Sequence, residues 1–317
     1  MKRRFLVVRL SALGDLVLIS PVLDYLSAKG EVHLITYPAY APLYEGDPRV
    51  SDMIVVRRRG LADALNLASA LSARDYEVMF DLQVKPFTLV LGHALTRRGV
   101  RVIRTSKRSL RRRLHVWFGL PLSYEYIPRL HLRAVASHFG EEPPDIRPSL
   151  KVSRRPDRLP DRYVVLAPEG SAPLKRWDFS NFSALAVRLN SRGYTPVWVG
   201  TEREPKVAVG LDLRGRTDIR ELVGVVAGAK ALVGNDSSAV HIAYATGVPA
   251  VVVMGPTTKS FGFVPPDGVM VAELPLKCRP CSTNGSGRCM VGGRPCMDLS
   301  VEDVLSILDA HIPHSPI

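Results

Sequence analysis

The chain has 317 residues, 46% hydrophobic and 23% charged, which excludes a wholly disordered protein and leaves room for two hydrophobic cores. Its 43 Lys and Arg outnumber 30 Asp and Glu, a formal +13 that points to an anionic partner such as nucleic acid, a phosphorylated glycan or a membrane surface. No run approaches the roughly eighteen apolar residues that span a bilayer. The opening MKRRFLVVRLSALGD imitates a leader, but Arg9 and Asp15 interrupt its apolar stretch, so it reads as a buried strand. The location implied is cytoplasmic, with any membrane association peripheral.

Residues 5–10 are apolar and β-branched enough for a fully buried strand, and the turn SALGD then leads into a helix predicted over 16–28. Short strands are predicted at 31–37, 53–56, 77–82 and 100–104, separated by helical patterns at 61–73 and 86–96. Strands alternating with helices argue a parallel sheet covered on both faces. The basic residues Arg97, Arg98, Arg101, Arg104, Lys107, Arg108, Arg111, Arg112 and Arg113 follow, with no acidic residue among them. Such a run is either a solvated face or a docking surface for a phosphorylated or membrane-embedded acceptor.

A helix is predicted over 129–139, after which residues 141–160 carry Pro143, Pro144, Pro148, Pro156 and Pro160 among charges and read as a linker. The second half repeats the alternation. A strand at 162–167, a loop at 168–177, a helix at 181–191, a strand at 196–200 and a helix at 219–229 precede KALVGNDSSAVHIAYATGVPAVVVMGP at 230–256. That last stretch reads as strand, polar turn, helix and strand. A final helix is predicted over 301–310. The expected division is an N-terminal α/β domain over 1–155, a C-terminal one over 156–300, and a segment 301–317 returning to the N-terminal domain.

In doubly wound sheets ligands sit beyond the carboxyl ends of the strands, where helix N-termini converge. The loops at 11–15, 168–177 and 234–238 hold that position. Neither half opens with G-x-G-x-x-G, no P-loop pattern occurs, and no D-x-D pair is present to hold a metal–diphosphate. A nicotinamide enzyme, or a nucleotide-sugar epimerase or dehydrogenase, is disfavoured accordingly. Phosphate would have to be held by helix termini and basic side chains. Read alone, Asp236 is as well explained by capping the helix that follows it.

Three motifs together resemble glycosyltransferase family 9, the heptosyltransferases that add ADP-activated heptose to lipopolysaccharide core. RLSALGD ends at Asp15, KRW begins at Lys175, and NDSSAVHIAYATGVPAVVVMGPT begins at Asn235. The resemblance covers nearly the whole chain. It implies a GT-B fold, two Rossmann-like domains facing each other across a cleft, the N-terminal one binding acceptor and the C-terminal one binding nucleotide-sugar. It implies an inverting, metal-independent transfer from a nucleotide-sugar donor to an anionic glycolipid or core-oligosaccharide acceptor in envelope glycan synthesis, with the enzyme on or near the cytoplasmic face of the inner membrane.

The resemblance also distributes roles. Asp15 is implied as general base and Lys175 as the cation facing the diphosphate leaving group, where capping a helix and lying on the surface are their respective structural readings. Ser11 and Gly14 fall in the first loop and Gly170 and Ser171 in the second. Asp236, Ser237 and Ser238 bring a helix N-terminus to the nucleotide, Asp236 through ribose hydroxyls or backbone. His241 lies on the same helix face, where packing explains it equally well, and Glu202 is a further ribose candidate.

The cysteines stand apart as Cys278-x2-Cys281-x7-Cys289-x6-Cys296, with Gly285, Gly287, Gly292 and Gly293 between them. A glycine-rich knuckle of this spacing could hold structural zinc or iron, while reduced thiols or disulfides are the other readings. Four protein ligands would leave no open position, so no catalytic cofactor is expected there. A protein of another class, a non-catalytic binder of nucleic acid or phosphoglycan, is suggested by the charge alone. It lacks aromatics interleaved with the basic run and any known nucleic-acid motif, so no nucleic-acid partner is expected.

Overall fold

Five short apolar runs of the first half form a parallel sheet, β1 (Arg4–Val8), β2 (Glu31–Thr36), β3 (Asp52–Val55), β4 (Val78–Asp81) and β5 (Arg101–Arg104), in the order β3-β2-β1-β4-β5. The computed structural model describes residues 3–58, 60–106, 108–152, 154–157 and 159–312. Phe5 to Val8 are fully buried, as expected of a central strand covered on both faces. The first crossover is two helices, α1 (Leu13–Leu18) and α2 (Ser20–Ser27), where the sequence predicted one. Pro21 explains the break, since it has no N–H to continue the ladder of α1 but suits the first turn of α2. Helices α3 (Leu61–Leu71) and α4 (Pro86–Thr96) cover one face, with Phe87, Leu91 and Leu95 in the same core as Leu6, Val8 and Met79.

The chain divides into two units, Met1–Lys107 with Ile127–Ser149, and Arg108–Tyr126 with Leu150–Ile317. Helix α5 (Ser109–Phe118) therefore belongs to the second unit and α6 (Ile127–Ala136) to the first. The basic run is split by that division, and Lys107 lies outside the described residues. Arg108 is buried, donating to the Ser123 carbonyl at 2.9 Å and pairing with Glu125 at 3.7 Å. The run is thus no single charged strip.

In the second unit β6 (Tyr163–Ala167), α7 (Phe179–Ser191), β7 (Thr195–Trp198), β8 (Leu211–Asp212), α8 (Ile219–Ala227), β9 (Ala231–Asn235), α9 (Ser238–Ala245), β10 (Ala250–Val253) and β11 (Val269–Ala272) build a second parallel sheet, ordered β11-β10-β9-β6-β7-β8. The last helix, α10 (Val301–Asp309), buries Val304, Leu305 and Leu308 in one core with Trp177, Val251 and Val253. Pairs between Arg188 and Glu302 at 3.0 Å and Arg192 and Asp309 at 2.6 Å fasten it to α7 of the same unit. Residues 313–317 of the predicted terminal segment are outside the described residues. Among the described residues no helix is long and apolar enough to cross a membrane.

In both sheets the strand order reverses beside the first strand: between β1 and β4 in one unit, and between β6 and β9 in the other. At such switch points adjacent connections leave on opposite faces and open a crevice at the carboxyl ends. The segments that follow β1, β6 and β9 carry Asp15, in the first turn of α1, and Lys175 and Asp236.

Candidate active site

In the second unit the site is built from the ends of three neighbouring strands. β9 ends on Asn235, which is wholly buried. Its Oδ1 accepts from the Trp177 backbone N–H at 3.0 Å and its Nδ2 donates to the Pro168 carbonyl at 2.5 Å. The Trp177 indole donates to the Leu299 carbonyl at 3.0 Å. These bonds fold the loop after β6 back over the end of β9 and bring Lys175, in the short turn Pro173–Lys175, to Asp236. Lys175 Nζ donates to Asp236 Oδ2 at 2.7 Å, and Thr257 Oγ1, from the loop after β10, donates to the same oxygen at 3.0 Å.

Burial opposes charge on Asp236, but Lys175, with help from His241 and the Thr257 hydroxyl, holds the carboxyl below the ordinary aspartate range. Asp236 is therefore not the cap of the helix it precedes. The N-cap of α9 is Ser237, and its side chain makes no capping hydrogen bond to the first N–H groups. An uncapped helix N-terminus beside a lysine suits an anion. Ser238 opens the helix and His241 lies one turn further, buried.

The remaining predicted residues of this unit lie around that cluster with unequal involvement. Gly170 packs on the lysine, since a methyl group there would sit 3.2 Å from Lys175 Cβ. Ser171 is exposed. Glu202 is exposed and its carboxylate is engaged by Arg176 at 2.9 and 3.1 Å. The sequence placed Asn235 only in the polar turn expected to hold nucleotide and gave no role to Thr257 or Arg176. Each stands inside or beside a quoted motif, but only the tertiary contacts show what it holds.

The cysteine loop is the floor of the lysine. A methyl group at Gly285 would lie 2.5 Å from Lys175 Cγ, and Gly285 has φ +79°, so only glycine fits there without strain. Arg294 donates to the Pro173 and Arg176 carbonyls at 3.3 and 2.9 Å and pairs with Asp178 at 2.6 Å. The Cys281 N–H donates to the Pro256 carbonyl at 3.1 Å, and Arg279 donates to the Thr257 carbonyl at 3.1 Å. The four cysteines are unbridged, with Cys296 buried and Cys278, Cys281 and Cys289 half-buried. Burial raises the thiols of Cys281 and Cys296, and the neighbouring cysteines raise them further. Among the described residues no three His, Cys, Asp or Glu side chains stand in metal-holding geometry.

In the first unit Asp15 sits in the first turn of α1. Its Oδ2 accepts from the Ala12 N–H at 3.3 Å and pairs with Arg9 Nη2, while Arg9 Nη1 donates to the Leu82 carbonyl. Gln83 Oε1 accepts from the Leu10 and Ser11 N–H groups at 3.1 and 3.3 Å, which ties the loop carrying Ser11 and Gly14 to the end of β4. Asp15 thus does brace its own helix, and both contacts fall on one carboxylate oxygen. Arg9 and Gln83 are supports that the motif contained or adjoined without revealing.

The family model described as glycosyltransferase family 9 (heptosyltransferase) matches residues 96–286, which include Lys175, Asp236, Cys278 and Cys281. Lipopolysaccharide heptosyltransferase 3 of Escherichia coli is 22% identical over 294 residues, covering 78% of this chain and 81% of that protein. Lipooligosaccharide heptosyltransferase 2 of Haemophilus influenzae is 29% identical over 102 residues, 28% of this chain, and the match spans only 30% of that relative's length. The structure of an E. coli ADP-heptose LPS heptosyltransferase II superposes with a TM-score of 0.74 at 19% identity, covering 97% of this chain and 98% of that one. The iron-containing dodecameric glycosyltransferase TibC of enterotoxigenic E. coli superposes with a TM-score of 0.64 at 14% identity, over 98% of this chain and 76% of that one. At these identities the structures establish the fold alone, two parallel-sheet α/β domains of GT-B type. With more than half of its residues matched by the family model, the chain belongs to glycosyltransferase family 9, the heptosyltransferase family.

Proposed function

We propose that the chain is an inverting glycosyltransferase that moves a heptose, or a related sugar, from an ADP-sugar to an anionic glycolipid or core-oligosaccharide acceptor. The observation that carries this reading is the Lys175–Asp236–Thr257 cluster, placed at the switch point of its sheet beside the uncapped N-terminus of α9. Charge builds on the departing diphosphate as its bond to the anomeric carbon lengthens. A fixed ammonium and unpaired helix N–H groups are worth more to that state than to the ground state. Asp236 keeps Lys175 oriented before the donor arrives, and His241 and Ser238 complete the wall of the nucleotide site. Asp15 takes the proton of the attacking hydroxyl on Oδ1, while Oδ2 stays with Arg9 and the Ala12 N–H. In this mechanism Lys175 and the helix terminus do the electrostatic work otherwise given to a divalent cation.

Four thiols form a donor set of the right chemistry for zinc or iron, and TibC is iron-containing. The thiols do not stand in metal-holding geometry here, so we propose that Cys278, Cys281, Cys289 and Cys296 close around a structural metal only on binding it, which would cross-link the loop that supports Lys175 and take no part in transfer. An acceptor of the proposed class is anchored in a membrane, which makes a peripheral membrane location part of the same reading.

Calorimetry against ADP, UDP, GDP and their sugars tests the donor. Binding of ADP and ADP-heptose well above the others is expected. Preference for UDP or GDP, or no binding to any of them, would overturn the donor assignment.

A further inference from the structure

Helix α5 carries an apolar face that the transfer chemistry does not use. With about 100° between successive residues, Leu110, Leu114, Trp117 and Phe118 fall on one side of the helix, Arg111 and Arg113 on its two flanks, and Arg112, His115 and Val116 opposite. Packing fixes which side is inward. The His115 ring lies edge-on to Phe261 with centroids 6.3 Å apart, and the Arg112 guanidinium stands 4.7 Å over the Phe263 ring. The other side is open: Leu110 and Trp117 are each 65% exposed and Phe118 is 68% exposed, with Leu120 at 48% just beyond the helix end.

Single exposed apolar residues need no explanation, but a contiguous set with arginines along both edges does. We propose that α5 and the turn after it dock on an anionic phospholipid surface. Trp117 and Phe118 enter the boundary between headgroups and acyl chains, and Arg111 and Arg113 reach back to the lipid phosphates along their aliphatic stems. Charge selects this occupant over a second copy of the chain. In a symmetric pair built on this patch the same arginine-edged surface would face itself, and like charges would meet. A lipid surface presents the opposite sign to both edges and to a chain of net charge +13.

The docking rests on α5 and not on the donor site, so the two readings fail separately. Trp117 also reports on itself, because the other tryptophans, Trp177 and Trp198, are each 1% exposed. The intact protein is titrated with vesicles of phosphatidylglycerol and phosphatidylethanolamine, and separately with phosphatidylcholine alone, following tryptophan emission and co-sedimentation. A blue shift with the anionic vesicles only is expected, lost in Trp117→Phe and reversed by salt. Co-sedimentation should fall about tenfold or more in Trp117→Ala/Phe118→Ala and in Arg111→Glu/Arg113→Glu, while the Trp117/Phe118 variant keeps its nucleotide binding. Vesicle binding that is undetectable in the wild type, or equal in these variants, would overturn the proposal. So would an emission shift that follows protein concentration without vesicles, which would make the face an interface between copies.

Discussion

Lys175 and Asp236 share their 2.7 Å hydrogen bond with side chains only 12% and 14% exposed, so neither charge is easily left alone. Lys175→Met removes the counter-charge from a carboxylate that burial already opposes. It should cost about 1–3 kcal/mol of stability in denaturant titrations and lower kcat/KM by roughly 10²–10³. A variant that loses stability but transfers normally would separate the ion pair from the chemistry. Glu77 supplies a pH test remote from the site. The Arg3 hydrogen bond, against some burial and with help from His138, holds its carboxyl down to about 2. A depressed carboxylate contributes fully above the ordinary glutamate range, and the contribution fades as pH falls toward that value. Glu77→Gln should therefore be less stable than wild type near neutrality, with the difference closing as the pH approaches about 2. At this scale the sequence was informative where a residue type is itself the signal. KRW drew attention to Lys175, and RLSALGD to Asp15. It could not show that Lys175 already has a carboxylate partner, because the two lie in loops after different strands and only the β6–β9 pairing brings them together.

Elements position these side chains through a few backbone contacts. Asn235 closes β9 onto the lysine loop, and the cysteine loop supports that loop from its other side. Gly285→Ala would place a methyl group against the Lys175 stem at a positive φ. The expected result is donor binding weakened about tenfold in calorimetry, with the circular dichroism spectrum unchanged; binding equal to wild type would show that the cysteine loop does not set the lysine. The crossover pattern was legible because β-branched runs alternate with helical ones. The break between α1 and α2 was visible only as Pro21, and α5 was obscured because SLRRRLHVWF reads as charge before it reads as a helix. The two-residue strand β8 has too few residues to show a period.

For the whole molecule, two parallel sheets with separate switch points place Asp15 in one unit and Lys175 with Asp236 in the other. That architecture was legible from the strand–helix alternation and the proline-rich linker. The assignment of residues 108–126 to the second unit was not, because it depends on contacts such as Arg112 over Phe263 and Tyr124 bonded to the Val264 carbonyl. The cysteine loop belongs to this scale as well, since it joins the segments after β6 and β10. Elemental analysis of gently purified protein should find about one equivalent of zinc or iron, and Cys278→Ser/Cys281→Ser should lose it together with thermal stability. Metal below about a tenth of an equivalent would leave the four thiols as a reduced cluster.

The proposed reaction is transfer of a sugar from an ADP-activated donor with Asp15 as base. The most direct measurement is ADP release and product formation from ADP-heptose and a core-oligosaccharide acceptor, comparing wild type with Asp15→Asn. Transfer by the wild type and a loss of roughly 10²–10⁴ in kcat for the variant, with donor binding retained, is the expected result. Equal rates in the two proteins, or no transfer by either, would contradict it.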